Sequence, residues 1–281
     1  RIMDAADHFL SCAELGFTQE NEEIFSRLIH RPTGLLLVCG PMNSGKTTTL
    51  YAALAELNDP ACHIMTLEDP VERRIDGISQ FEVCPEAGLT FVTGLRAALR
   101  QDVQKILLGE IRDRETAEMG VRIALTGHAL FSTLHTEDAV SAVFRMIEMG
   151  VPPYLLAATL SGVIAQRLVR RVCDRCCETY EVAADSDEAL QLGGLYHVGM
   201  TLSRGRGCPH CHGSGYRGRM AIHELLPVSA RIRTAILEME SRDVLRQTAE
   251  QEGMHSLWQD GIAKAIAGQT TMEEVERALY G

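Results

Sequence analysis

Long apolar runs are missing from this sequence. The longest uncharged stretch, Met149 to Gln166, just reaches spanning length, but Pro152, Pro153, Thr159, Ser161 and Gln166 dilute it, and a buried helix is the expectation there. No secretory leader is read at the start; the chain opens on Arg1 and is expected to be a fragment or a processed product. Positive charge is scarce. Lys and Arg total 27 against 38 Asp and Glu, a net charge of -11, and basic residues are not interleaved with aromatics. That excludes the broad basic footprint of a general nucleic-acid binder, though not a small local patch. Nine cysteines in 281 residues are too few for a disulfide scaffold, which points to a reducing compartment. No repeat, coiled coil or low-complexity tract stands out. What remains is a globular composition, 46% hydrophobic, enough for one large domain or two modest ones.

Residues 1–34 read as helix and polar loop, with Phe9, Leu10, Phe25 and Leu28 among the apolar positions. Short apolar runs without helical period then alternate with helical patterns. Strands are expected at 35–39, 63–67, 106–109 and 129–134; helices at 46–57, 89–100, 115–125 and 139–149. This alternation implies an α/β domain with a largely parallel sheet. The expected division is a linker and leading helix at 1–30, an α/β core at 31–172, a Gly-, Cys- and His-rich insert at 173–219 and a helical C-terminal region at 220–281.

Gly40-Pro41-Met42-Asn43-Ser44-Gly45-Lys46-Thr47 satisfies G-x-x-x-x-G-K-[ST] and lies between an expected strand and an expected helix. A turn of this kind aims backbone N–H groups and the positive helix end at phosphates. With Thr48, these residues form the candidate ATP site; Lys46 would reach the β- and γ-phosphates and Thr47 would ligate Mg²⁺. Asn43 suits a left-handed backbone position. Glu68, Asp69 and Glu72 follow one expected strand, Glu110 ends another and His135 a third. Side chains at the C-terminal ends of parallel strands face the ligand crevice. An acid there can orient water or hold Mg²⁺ through water, and His135 can touch the γ-phosphate; His128 is expected at the opposite edge.

Cys173-x-x-Cys176 and Cys208-x-x-Cys211 supply four sulfurs, the donor set of a structural Zn²⁺ site. A small insert with little core of its own would be stapled by such an ion. Cys177, His210 and His212 are alternative ligands, and 177–207 is long for a compact knuckle.

With these residues in view, the chain resembles the secretion and pilus-assembly ATPase family, the motors of type II secretion and type IV pilus extension. Gly40 to Thr47 is similar to its Walker A loop and Thr66-Leu67-Glu68-Asp69-Pro70-Val71-Glu72 to its Asp box. Leu108-Gly109-Glu110-Ile111-Arg112-Asp113 resembles its Walker B box, and Thr126 to Thr136 its His box. Ala165-Gln166-Arg167-Leu168, the Cys pairs, His223 to Pro227 and Gly253 to Thr271 match as well. Asn43 stands where a second internal Gly is usual. Asp102-Val103-Gln104 replaces Asp-Pro-Asp, which is expected to remove one acid near the site.

The resemblance implies a RecA-like P-loop fold with a zinc-binding insert and a helical C-terminal region, ATP and Mg²⁺ as ligands, and a homohexameric ring. Glu68, Glu110, Lys46 and His135 would be catalytic, Glu68 a candidate for activating water and Glu110 acting on water or the Mg²⁺ shell. Work would pass to cytoplasmic domains of inner-membrane platform proteins, the motor being cytoplasmic and peripheral. The Cys pairs favour the secretion and extension branch, and type II secretion is the leading expectation. Family members carry an N-terminal domain whose arginines reach the phosphates; most of it is missing here, which implies crippled hydrolysis. The rivals are a nucleic-acid motor and a nucleotide-gated structural ring component.

Overall fold

The computed structural model describes residues 10–281. Phe9 and the rest of 1–9 lie outside the described residues, so the expected linker at 1–30 is described only from Leu10. A short 3₁₀ turn at Cys12–Leu15 precedes α1 (Gln19–Ile29), β1 (Gly34–Cys39), α2 (Lys46–Leu57), β2 (Ile64–Glu68) and β3 (Ser79–Glu82). Next come α3 (Phe91–Ala98), β4 (Lys105–Leu108), α4 (Arg114–Leu125), β5 (Ala129–Leu134), α5 (Ala139–Glu148) and α6 (Pro153–Thr159). The chain continues through β6 (Leu160–Val172), β7 (Cys177–Glu181), α7 (Asp187–Leu192), β8 (Thr201–Gly205) and β9 (Tyr216–Pro227). It ends in α8 (Ala230–Leu237), α9 (Arg242–Gln251), α10 (Leu257–Ile266) and α11 (Met272–Tyr280). No helix among the described residues is long and apolar enough to cross a membrane.

Seven strands form one sheet in the order β3-β2-β4-β5-β1-β6-β9. From β3 to β6 every described pairing is parallel. Parallel strands are buried on both faces, which is why they read as unbroken apolar runs; Leu35, Leu37, Val38 and Cys39 of β1 are all at 0% exposure. Phe25 and Ile29 of α1 and Leu50 and Leu54 of α2 belong to the same core as Val38, Phe131 and Ile164 of the sheet. Each such side chain contributes about 1.5–3 kcal/mol by leaving water.

The chain forms two compact units: one up to Gln166 together with Leu225–Met254, the other Arg167–Glu224 with His255–Gly281. These bounds differ from the division read from sequence, because 255–281 groups with the Cys insert instead of with the rest of 220–281. The expected helix across Met149–Gln166 is corrected. Only Pro153–Thr159 is helical, and Leu160 onward is strand. A strand buried on both faces carries no two-residue alternation to tell it from a buried helix. The strands β3, β7, β8 and β9 were likewise not expected.

The second unit has a core of its own. Val182, Ala189, Leu192, Met200 and Leu202 of the insert pack with Ile262, Ala265 and Met272 from α10 and α11. The insert, expected to have little core of its own, shares this one with α10 and α11. This core also explains the length of 177–207, which builds the antiparallel pair β7–β8 and α7.

Glu274, at 0% exposure, is the charged anchor of this unit. Its carboxylate accepts from the Arg170 guanidinium, from the Arg170 N–H at 3.0 Å, and from Arg277 at 2.7 and 2.9 Å. The Arg170 guanidinium also lies 4.1 Å over the Tyr216 ring. Burial pushes the Glu274 carboxyl up, but the two arginines outweigh it and hold it at about 2, below the ordinary 4.5. A depressed carboxylate adds stability above its unfolded pKa and loses it as pH falls through the folded value. Denaturant melts of the chain should therefore weaken progressively from about pH 4.5 to about pH 2. Glu274→Gln should cost about 2–3 kcal/mol at neutral pH and flatten that acid limb; an unchanged limb would contradict the assignment.

Candidate functional site

A parallel sheet releases its chain at one edge, and here the neighbours β2, β4, β5 and β1 do so side by side. Glu68 closes β2, Glu110 follows β4 by two residues, His135 directly follows β5, and Gly40 directly follows β1. The loop after β1 turns through positive φ at Asn43 (61°) and Gly45 (88°), as expected for Asn43. Gly45 caps α2, whose first residue is Lys46. Successive N–H groups in such a turn, together with a helix N-terminus, make a concavity suited to an anion. Pro41, Met42, Asn43 and Thr48 are exposed and Thr47 half-buried. Lys46 is buried, its amine donating to the carbonyls of Gly40 and Pro41, each at 2.8 Å. The buried Ser44 hydroxyl finds no hydrogen-bond partner among the described residues. A buried hydroxyl without an acceptor is costly, and a phosphate oxygen is an acceptor of the kind this loop would hold.

Opposite charges gather on the adjacent strand ends. The Glu110 side chain is 15% exposed, and its carboxylate pairs with the Arg112 guanidinium and lies 3.4 Å from His135 Nε2. Arg112 also reaches Asp69 at 3.7 Å. The Glu110 carboxylate raises the Arg112 guanidinium above its ordinary range. The segment is held from below: Ser132 and Thr133 of β5 donate hydroxyls to the carbonyls of Leu108 and Gly109 at 2.8 Å, and the Ile111 N–H bonds Thr133 at 3.0 Å. Asp113 then caps α4 by accepting the Thr116 N–H at 2.8 Å. Glu110 and His135, nominated separately from sequence, are thus one cluster.

Glu68 belongs to another. It is 4% exposed, and its carboxylate accepts from the Tyr51 and Thr66 hydroxyls and from Gln80 at 3.2 Å. Burial, and then the Glu68 carboxylate, push the Tyr51 phenol above its ordinary range. Gln80 also holds the Arg73 carbonyl at 2.9 Å and the Ile75 N–H at 2.6 Å. The cluster therefore ties α2 and β2 to the loop that carries Glu72, which is exposed.

Tyr51, Gln80 and Gln166 were not foreseen as parts of the site. Gln166, 1% exposed on β6, donates to the Ser44 carbonyl at 2.7 Å and accepts from the Thr49 hydroxyl at 2.9 Å. The available signal was a polar side chain inside a buried run, which must find a partner. The expected loss of an acid at Asp102–Gln104 is corrected. These residues precede β4, at the edge away from the phosphate loop, where Gln104 accepts the His63 N–H at 2.6 Å. His128, which precedes β5 and lies 3.1 Å from the Thr126 hydroxyl, is at that far edge too.

The Sγ atoms of Cys173, Cys176, Cys208 and Cys211 all lie within 4.8 Å of one another. Separations of 3.9 Å (Cys173–Cys208), 3.7 Å (Cys176–Cys211) and 3.7 Å (Cys208–Cys211) match the roughly 3.8 Å edge of a tetrahedron with metal–sulfur bonds of about 2.3 Å. The Cys208 and Gly215 N–H groups donate to Cys211 Sγ at 3.1 and 3.3 Å. Cys177 is exposed, and neither it nor His210 or His212 belongs to the cluster. The donor set is four cysteines able to chelate one metal ion.

Residues 1–277 match the model of the family "Type II/IV secretion system protein". The type II secretion system protein E of Dickeya dadantii is 47% identical over 278 residues, 99% of this chain and 55% of that protein. The type IV pilus assembly ATPase PilB of Thermus thermophilus is 46% identical over 98% of this chain and 31% of its own length. A crystal structure of the pilus retraction motor PilT with bound ADP superposes with a TM-score of 0.73 at 29% identity, covering 100% of this chain and 69% of that one. The chain spans about half the length of the secretion proteins it matches. Matched along nearly all of its length, the chain belongs to the type II/IV secretion system protein family.

Proposed function

We propose that this chain is the ATP-hydrolysing motor segment of a type II secretion ATPase, driving pseudopilus assembly. Type IV pilus extension is the second reading, and the 46% identity to PilB supports it. The observation that carries the proposal is the shared strand edge, where a complete phosphate loop lies beside the Glu110–His135 pair. Lys46 brings positive charge to the transferred phosphoryl group, and the N–H groups of 43–47 orient the phosphates. Magnesium, held by the Thr47 hydroxyl and through water by Glu110, would supply further charge neutralisation. His135 contacts the γ-phosphate and, through Glu110, registers its presence. Glu68, the first candidate for activating water, is oriented by its three donors and keeps one acceptor position on Oε2 for water. The exposed Glu72, on the loop that cluster holds, is the second candidate to take a proton from water.

The working assembly in this proposal is a homohexamer, cytoplasmic and held at the inner membrane by the cytoplasmic domains of platform proteins. Binding and release of nucleotide would move neighbouring subunits as rigid bodies. Nucleic acid is not its track, in keeping with the net charge of -11. The metal of the Cys cluster is Zn²⁺, since four thiolates suit it and not Mg²⁺ or Ca²⁺.

Steady-state Mg·ATP hydrolysis tests the motor, in this chain and in a longer protein that includes the preceding domain. Lys46→Ala and Glu110→Gln should each lower kcat/KM by about 10²–10³-fold, and Glu68→Gln should lower kcat more than Glu72→Gln. Tight ATP binding without turnover in both proteins would instead favour a nucleotide-gated structural component. For the metal, elemental analysis should find one zinc per chain. Cys211→Ser should release it and lower Tm; a metal-free chain of unchanged Tm would refute the assignment.

A further inference from the structure

We infer that Gln166 is a positioning residue for the phosphate loop, setting from β6 the direction of a backbone N–H that meets phosphate. The inference rests on the nucleotide reading of the loop. Register places Ala165 beside Cys39, so Gln166 comes level with Gly40, where the loop leaves the sheet. The contact is close. A Cβ on Gly40 would stand 2.5 Å from the Gln166 backbone oxygen, and Gly40 has φ +150°. A side chain there would push the loop off the strand.

The Gln166 side chain takes up the same task further along. Its Nε2 donates to the Ser44 carbonyl at 2.7 Å. A carbonyl only accepts, so this contact requires the amide nitrogen, and the amide oxygen must then face the Thr49 hydroxyl at 2.9 Å. All three partners are buried, Thr49 and Gln166 at 1% and Ser44 at 3% exposure. The Ser44–Gly45 peptide is planar and trans, so its C=O and N–H point in opposite directions. Drawing the Ser44 carbonyl toward β6 turns the Gly45 N–H away from β6. Gly45 is the cap of α2, and its N–H is one of those a phosphate would use at this helix end. Gln166 itself touches no ligand; it acts through Ser44, and Thr49 keeps its amide from flipping.

The test is calorimetric titration of Mg·ADP and of adenosine into the wild-type chain, Gln166→Leu, Gln166→Glu and Thr49→Val, with a melting curve for each. Gln166→Leu should weaken Mg·ADP about tenfold to a hundredfold, the range for one charge-assisted hydrogen bond. Gln166→Glu should weaken it at least as much, since a carboxylate repels the Ser44 carbonyl. Thr49→Val, which keeps its shape, should give a smaller loss at near-wild-type Tm. Adenosine, lacking phosphate, should bind all four alike. Mg·ADP affinity within about twofold of wild type in folded Gln166→Leu and Thr49→Val would overturn the inference, as would an equal loss for adenosine. A wild-type chain that binds no Mg·ADP would sink the nucleotide reading itself, and this inference with it.

Discussion

Parallel pairing is the constraint on which the rest of the first unit depends. Once β2, β4, β5, β1 and β6 hydrogen-bond side by side in one direction, every one of them must release its chain at the same edge. Residues separated by nearly a hundred positions, Gly40 and His135, then need no further device to meet. The strands that achieve this bury both faces, so their sequences carry no alternation. Their length and apolar character are set by burial, and the polar chemistry is pushed to the residues just beyond each end. Glu110, one turn residue past Leu108, and His135, directly past Leu134, follow from that rule.

The rule also marks what sequence could and could not disclose. The P-loop, the strands around it and the cysteine quartet were legible because each is a local pattern: a spacing, an apolar run, a pair of C-x-x-C motifs. The strand β6 was not, because a doubly buried strand and a buried helix present the same apolar run. Glu68 was legible as an acid at a strand end but not as a buried one. That distinction lies with Tyr51 and Gln80, which reach it from α2 and β3. A carboxylate at 4% exposure is tolerable only when its lone pairs are met, and here they are met by side chains that no spacing rule links to it. Asp102 and Gln104 show the converse error. They are close in sequence to Glu110, yet β4 runs between them, and the four-residue strand carries them to the far edge.

The second unit solves a different problem. A tetracysteine insert could have been a bare metal knuckle. Instead, Val182, Leu192 and Leu202 share a hydrophobic core with Ile262 and Met272, and Glu274 is clamped by Arg170 and Arg277. The cysteines and the apolar core are separate clusters, so order in the core does not depend on whether the cysteines hold a metal. A second buried pair, Lys264 and Asp260 at 2.6 Å, adds a bond from Lys264 to the Ala221 carbonyl and from the His223 N–H to Asp260. These pairs connect α10 and α11 to strand segments far away in sequence, the kind of link that composition and periodicity do not reveal.

Buried polar groups therefore do in this molecule what apolar packing alone would not. Apolar side chains fill volume without regard to direction; a hydrogen bond to a carbonyl sets the plane of a peptide. The Ser44–Gly45 peptide lies at the cap of α2, where the loop turns into the helix, and the atom that sets its plane comes from a strand more than a hundred residues away. The loop's own sequence supplies flexibility, through Gly40, Asn43 and Gly45. Its shape is held from within by Lys46, which bonds the Gly40 and Pro41 carbonyls, and from outside by Gln166 of β6. A motif match identifies the flexible residues and the lysine but not the support from β6, which is written elsewhere in the chain and reaches the loop through the fold.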